Sequence, residues 1–200
     1  MSKPVTEIAI DKCPRIETKR FVLRKWEERD LEGLVQMNAD PLVMEFFPAV
    51  MSRQDSERMF ERLIAKQVKY GFGTPVVEER ASARFLGLCG LGIPTYPEPL
   101  PFDPCVEIGW RLIPDAWGRG IAQEASRIWL RFGFETLCLN EVVSFTSAVN
   151  LRSEKVMQKL GMVRDASEDF DHPLIEEGHP LRRHVLYRLS KEKYLEREDG

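Results

Sequence analysis

Two periods run through the apolar positions of this chain. Over residues 106–113, Val106, Ile108, Trp110 and Leu112 alternate with Glu107, Gly109 and Arg111, the two-residue period of a strand with one buried face. Glu107 should therefore face away from Val106 and Ile108, on the side of Cys105, Gly109 and Arg111. After Ser52 the spacing changes. Met59, Phe60, Leu63 and Ile64 return every three to four positions, which predicts a helix to about Tyr70. Ser52 and Asp55 resemble a capping box at its start. Residues 17–26, centred on Phe21-Val22-Leu23, read as one strand. Asp30 can cap a short helix carrying Leu31, Leu34 and Val35, stopped by Asp40-Pro41. Gly71 and Gly73 break the second helix, and strands follow over 74–79 and 85–93.

A helix of about fifteen residues begins near Arg119 or Gly120, with Ile121, Ala125, Ile128, Trp129 and Phe132 on its apolar face. Residues 141–148 read as a strand. Asn150 caps a helix carrying Val156, Met157 and Leu160, which Gly161 ends. A last strand lies over 184–190, and the charge run from Lys191 reads as a solvated end. The order is β-α-α-β-β-β-α-β-α-β, with room for one more strand near 162–170. This is a mixed α/β domain around one sheet, and only the segment from 106 to 148 looks like a parallel crossover. Five of the thirteen prolines (Pro94, Pro97, Pro99, Pro101 and Pro104) fall within eleven residues and make a loop. That loop is either a surface connection or a semi-rigid flap beside a site.

Length and composition narrow the class. Two hundred residues with 43% hydrophobic and 30% charged positions describe one soluble globular domain over residues 1–200, its ends (1–15 and 191–200) peripheral. No apolar run approaches the about 20 residues of a membrane span, and the first residues lack a signal layout. A cytoplasmic protein without a membrane partner is expected. A net charge of −3 argues against nucleic acid. Cys13, Cys89, Cys105 and Cys138 lie far apart, without metal-ligand spacing, and read as free thiols, mostly in the core. No metal is expected.

The candidate chemistry sits in Trp117-Gly118-Arg119-Gly120-Ile121-Ala122, where a strand hands over to a helix. Two glycines let a ligand approach the backbone, and the first amides of a helix lack internal partners. With the helix dipole they suit a diphosphate, to which Arg119 can add charge. The same glycines would also serve a plain tight turn. A kinase-type phosphate loop is absent. A dinucleotide fingerprint fails at Gln123, although Glu141 lies at a suitable distance for a ribose contact.

The run EIGWRLIPDAWGRGIAQEA resembles motif A of the GNAT superfamily of acyl-CoA-dependent N-acetyltransferases, written [RQ]-x-x-G-x-[GA]. Trp117 stands where Arg or Gln is usual, while Gly120 and Ala122 match. The tryptophan is similar to the branch of Rim-type acetyltransferases of ribosomal-protein N-termini. Arg20 to Trp26, Asp30-Leu31, and Asp40-Pro41-Leu42-Val43-Met44 resemble the opening of that branch. Asn150-Leu151-Arg152-Ser153 and Lys159-Leu160-Gly161-Met162 resemble its second motif. The resemblance spans about residues 17–190.

The resemblance implies a twisted, mostly antiparallel sheet with about four helices. Its fourth strand (106–113) and fifth strand (141–148) would run parallel and splay apart. It implies that the pantetheine arm of acetyl-CoA pairs with the backbone of Trp110, Arg111 and Leu112. The pyrophosphate would lie on Trp117, Gly118, Arg119, Gly120, Ile121, Ala122 and Gln123. The implied reaction moves acetyl to a primary amine by direct attack in a ternary complex. The acceptor would be a protein N-terminus, which the branch favours, or a small amine. Glu107 is the candidate base, with His172 or water as alternatives, and an ordinary salt-bridged strand glutamate is the plain reading. The resemblance makes Ser153 the candidate acid for the leaving thiolate, since the Ser of N-x-x-S lies near the thiol in Rim-like relatives; the tyrosine that other members use instead finds no match over 154–186, and Tyr187 sits in the last strand. Asn150 would be both cap and cofactor neighbour. Cys105 with a histidine has no supporting motif as a nucleophile. A non-catalytic acyl-CoA sensor is the competing class, and the assembly would be a monomer or homodimer.

Overall fold

The computed structural model describes residues 13–198. The single strand predicted over 17–26 is two, β1 (Ile16–Glu17) and β2 (Phe21–Arg24), paired as a hairpin. The Thr18 hydroxyl causes the break. It accepts from the amides of Arg20 (3.1 Å) and Phe21 (3.0 Å), so a local side-chain bond replaces the ladder. The helices α1 (Leu31–Ala39) and α2 (Arg53–Tyr70) follow. The capping box of α2 forms as expected, with Ser52 and Asp55 satisfying each other's amides. Asp30 does not cap α1. It is buried, and its carboxylate takes two hydrogen bonds from Arg24 at 2.7 and 2.8 Å. The need to pair a buried guanidinium overrides the local cap.

Strands β3 (Val76–Glu79), β4 (Phe85–Gly92) and β5 (Glu107–Leu112) come next, then α3 (Ile121–Arg131), β6 (Glu141–Ser147) and α4 (Leu151–Lys159). α3 is shorter than predicted because residues Phe132–Thr136 widen into a π turn. The extra strand near 162–170 is two short ones, β7 (Val163–Arg164) and β8 (Phe170–Asp171), both paired with β9 (Arg183–Ser190). The four expected helices are joined by a fifth, α5 (Lys191–Glu198), where a solvated tail was expected. Tyr194 is the reason: it is buried and stacks on Phe134 at 4.7 Å.

The sheet runs β1-β2-β3-β4-β5-β6-β9-β7, with β8 beside β9. Every pair is antiparallel except β5–β6. One face carries α3, whose Ile121, Ala125 and Trp129 pack on Ile108, Leu91 and Val142. The other face is covered in two parts. Leu34 and Met37 of α1 and Phe60 of α2 pack over Val76 and Leu88. Leu100 and Phe102, from the proline-rich loop, pack over Val143, Phe170 and Leu186. No helix among the described residues is long and apolar enough to cross a membrane.

Candidate active site

β5 and β6 are paired only at Glu107 and Val143, where the Val143 amide bonds the Val106 carbonyl at 2.9 Å. Beyond that point each strand follows its other neighbour: β5 stays with β4 through Leu112, and β6 stays with β9 through Ser147. A gap opens between them. In an antiparallel ladder, alternate residues turn their peptide groups toward and away from the partner. The Ile113 amide bonds the Leu86 carbonyl at 2.9 Å, which sets the phase. Ile108, Trp110 and Leu112 therefore turn their peptide groups into the gap. The expected backbone contact from Arg111 differs: its peptide groups face Leu88 of β4, and its side chain goes to the α1–α2 face.

The loop after β5 leads into α3 through Gly118 and Gly120, at φ of 68° and 71°. These left-handed conformations are cheap only for glycine. None of the amides from Gly118 through Gln123 donates a hydrogen bond to another described residue. A Cβ at Gly118 would meet no heavy atom within 4 Å, so the loop is open on that side. Two side chains hold the loop. Trp117 Nε1 donates to the Leu112 carbonyl at 2.8 Å. Arg20 Nη1 donates to the Arg119 carbonyl at 2.7 Å, while its Nε and Nη2 bond Glu124. The sequence carried no signal for this second brace, because Arg20 lies about a hundred positions away. The Arg119 side chain reaches Glu79 at 3.3 Å. A groove of about 440 Å³ runs from Gly120 along α3 past Gln123, Arg127 and Arg131.

On the α1–α2 face, Glu107 lies over Gly109: a Cβ there would stand 3.5 Å from Glu107 Oε1. Burial pushes the Glu107 carboxyl up to about 7, opposed in part by the Lys66 ammonium. Lys66 donates to the Ile93 carbonyl at 2.9 Å, and burial lowers its own pKa. The proline-rich loop is a wall here and not a bare surface connection. Its Leu100 is buried, and its Tyr96 meets His172 Nε2 at 3.3 Å. The His172 ring lies 4.8 Å from that of His184. Burial and the neighbouring His184 bring His172 down to about 4, so it is neutral at pH 7. Cys105 donates to Asp103 at 3.4 Å, and burial raises its pKa; a thiolate nucleophile is disfavoured.

Asn150 closes the other side of the gap. Its Oδ1 accepts from the Ser153 amide at 3.2 Å, and its Nδ2 donates to Ser153 Oγ (3.1 Å) and Thr146 Oγ1 (3.0 Å). Because Ser153 Oγ already accepts a bond, its own proton stays available to donate. Tyr187 is buried and bonds Glu154 at 3.0 Å. Arg152 was not singled out from the sequence. Its guanidinium lies 4.6 Å from the Trp117 ring and 5.2 Å from the Phe46 ring, and it pairs with Glu45. It thus links α4, the glycine loop and the α1–α2 connection.

Residues 20–163 match the acetyltransferase (GNAT) domain family. The chain is 31% identical over 192 residues to FsC-acetyl coenzyme A-N(2)-transacetylase of Aspergillus fumigatus, covering 91% of this chain and 78% of that protein. It is 25% identical to an uncharacterised N-acetyltransferase, YnaD, of Bacillus subtilis, over 90% of this chain and 98% of that one. An acetyltransferase structure from Agrobacterium tumefaciens superposes with a TM-score of 0.70 at 26% identity, over 92% and 98% of the two chains. With its motifs, its splayed parallel strands and this match in agreement, the chain belongs to the GNAT family of acetyl-CoA-dependent N-acetyltransferases.

Proposed function

We propose that the chain transfers acetyl directly from acetyl-CoA to a primary amine, with both substrates bound at once on opposite sides of β5. One arrangement along β5 carries this reading. The clear amides of Gly118 through Gln123 follow one end of the strand, and its open edge leads back toward a half-buried carboxyl, poised near neutrality, at the other. The residues present fit acetyl-CoA. The loop amides and the positive end of α3 suit its diphosphate. The Trp110 carbonyl suits an N–H of its amide-bearing arm, which would add to the β5 edge like a strand. The Leu112 carbonyl is already taken by Trp117, so Trp110 is the main partner on that edge.

Acetyl-CoA, when bound, supplies an activated acetyl as a thioester. Glu107 takes the proton from the amine. An α-amine of pKa about 8 is roughly 10% neutral at pH 7, whereas a lysine amine of about 10.4 is below ~0.1%. A carboxylate titrating near 7 matches the first demand, since a general base works best with a pKa near the working pH. His172, neutral and bonded to Tyr96, is a wall of the acceptor pocket in this reading. The Trp110 amide, facing the gap, polarises the acetyl carbonyl. Ser153 donates its hydroxyl proton to the departing sulfur, held in place by Asn150. Protein N-termini and small amines both meet these demands.

A panel of N-terminal peptides and small amines, read by thiol release, tests the proposal. Release with at least one acceptor, lost in Glu107→Gln, supports it. Tight acetyl-CoA binding with no thiol release from any acceptor would instead favour a sensor of acyl-CoA.

A further inference from the structure

On the acceptor side of the sheet, one charged group has no role in the steps above. Arg111 is the third residue in the row Glu107, Gly109, Arg111, which the strand period places on one face. Its Nη1 donates to Asn38 Oδ1 at 2.6 Å, and its guanidinium carbon stands 4.1 Å from the centroid of the Phe47 ring. Asn38 is fully buried at the end of α1. Arg111 Nε is buried and has no acceptor among the described residues. No carboxylate among the described residues offsets the charge, and desolvation alone draws its pKa down to about 10. The group is still a cation at neutral pH.

Arg24 shows the contrast. It is buried outright, where Arg111 is half-buried with its Nε withdrawn from water, and it is met by Asp30 at 2.7 Å and Glu78 at 2.6 Å. A desolvated cation without an anion is a costly arrangement to maintain. Arginine's planar fork of donors is also the side chain best matched to a two-oxygen anion. Asn38 and Phe47 hold the fork in place while leaving donors unused.

We infer that Arg111 binds a carboxylate carried by the acceptor, so that the enzyme selects amines bearing one. This rests on the transfer reading above. Arg111 lies four steps along the strand from Glu107, about 13 Å at 3.3 Å per residue. An amine near Glu107 thus has room for a short chain before its carboxylate reaches the guanidinium. A polyamine would place a second cation against Arg111 and Lys66. The acceptor class is therefore short amines whose carboxylate lies several bonds from the amine.

The test uses the α-amides of aspartate, glutamate and 2-aminoadipate, whose α-amines match the base, together with the corresponding side-chain carboxamides and the matching diamines. Two readouts are needed: kcat/KM by thiol release, and calorimetric binding of each acceptor with CoA present. The unsubstituted protein should prefer the best carboxylate over its carboxamide at least tenfold in both. Arg111→Gln should bring that ratio to within twofold of one, and Arg111→Lys, which keeps the cation, should retain a preference above threefold. Each ratio is taken within one variant, so a general loss of activity does not alter it. A ratio near one in the unsubstituted protein, a preference for diamines, or an unchanged ratio in Arg111→Gln would overturn the inference. The binding preference, present without any thiol release, would uphold Arg111 and overturn the transfer reading alone.

Discussion

Trp117 Nε1 donates to the carbonyl oxygen of Leu112 at 2.8 Å, tying the glycine loop to the open edge of β5. The residue that departs from the family signature is thus the one that sets the loop against the strand. The bond satisfies a carbonyl that β6 leaves unpaired, and the same indole supports Arg152 from above. Trp117→Phe keeps most of the ring and removes the bond. A neutral hydrogen bond contributes about 1 kcal/mol net, which is roughly fivefold in a dissociation constant. We expect acetyl-CoA to bind Trp117→Phe about fivefold more weakly by calorimetry, with a near-native far-UV circular dichroism spectrum.

Gly120 stands at φ 71° as the N-cap of α3, where its neighbours' amides are clear of other groups. Gly120→Glu would bring a carboxylate against the diphosphate. Gly120→Ala isolates the backbone strain, about 1–2 kcal/mol for a side chain in the left-handed region. The glutamate variant should lose acetyl-CoA affinity at least a hundredfold, far more than alanine does, while both unfold cooperatively. Equal affinities for the two variants would remove the diphosphate from this loop.

Glu107 has its carboxyl pushed up to about 7 by burial, so it is mostly protonated at pH 6 and mostly ionised at pH 8. With one acceptor throughout, kcat/KM should rise with pH through about 7. Glu107→Gln should lose this limb, keep any limb set by the amine itself, and fall roughly 10²–10⁴-fold in rate at pH 8. Folding linkage gives an independent check. A raised carboxyl pKa means that the folded state holds a proton the unfolded chain has released. Stability therefore declines as pH rises from about 4.5 through 7. Denaturant midpoints of the glutamine variant should show less of that decline.

Ser153 is both a first-turn residue of α4 and the holder of a free hydroxyl proton beside Asn150. Its amide, not its hydroxyl, receives the cap from Asn150 Oδ1, so alanine leaves the cap intact. Ser153→Ala should lower kcat about tenfold and change the acetyl-CoA dissociation constant less than twofold. Asn150→Ala, by contrast, removes the cap and should cost about 1 kcal/mol of stability as well.

How much could be read in advance followed the range of the interaction. The strand over 106–113, the capping box at Ser52 and the cap at Asn150 depend on neighbours a few positions away, and they appear where the periodicity puts them. The hairpin break at Thr18 was also local, but a single hydroxyl competing with a ladder leaves no periodic trace. The burial of Tyr194 against Phe134 was hidden inside a charged run. The proline cluster announced a loop without saying what it would cover.

By itself, the sequence determined the order of elements, the glycine turn at the start of a helix and the family motifs, because these are written in spacing along one stretch of chain. Tertiary structure alone decided which charges are paired. Arg24 meets Asp30 and Glu78, Arg20 braces the loop through Glu124, and Arg111 is left with Asn38 and no acid. It also decided the titration of Glu107, which follows from its burial and from the Lys66 ammonium that α2 brings near it. Coulomb and desolvation energies depend on distance and dielectric in space, and neither is a function of separation along the chain.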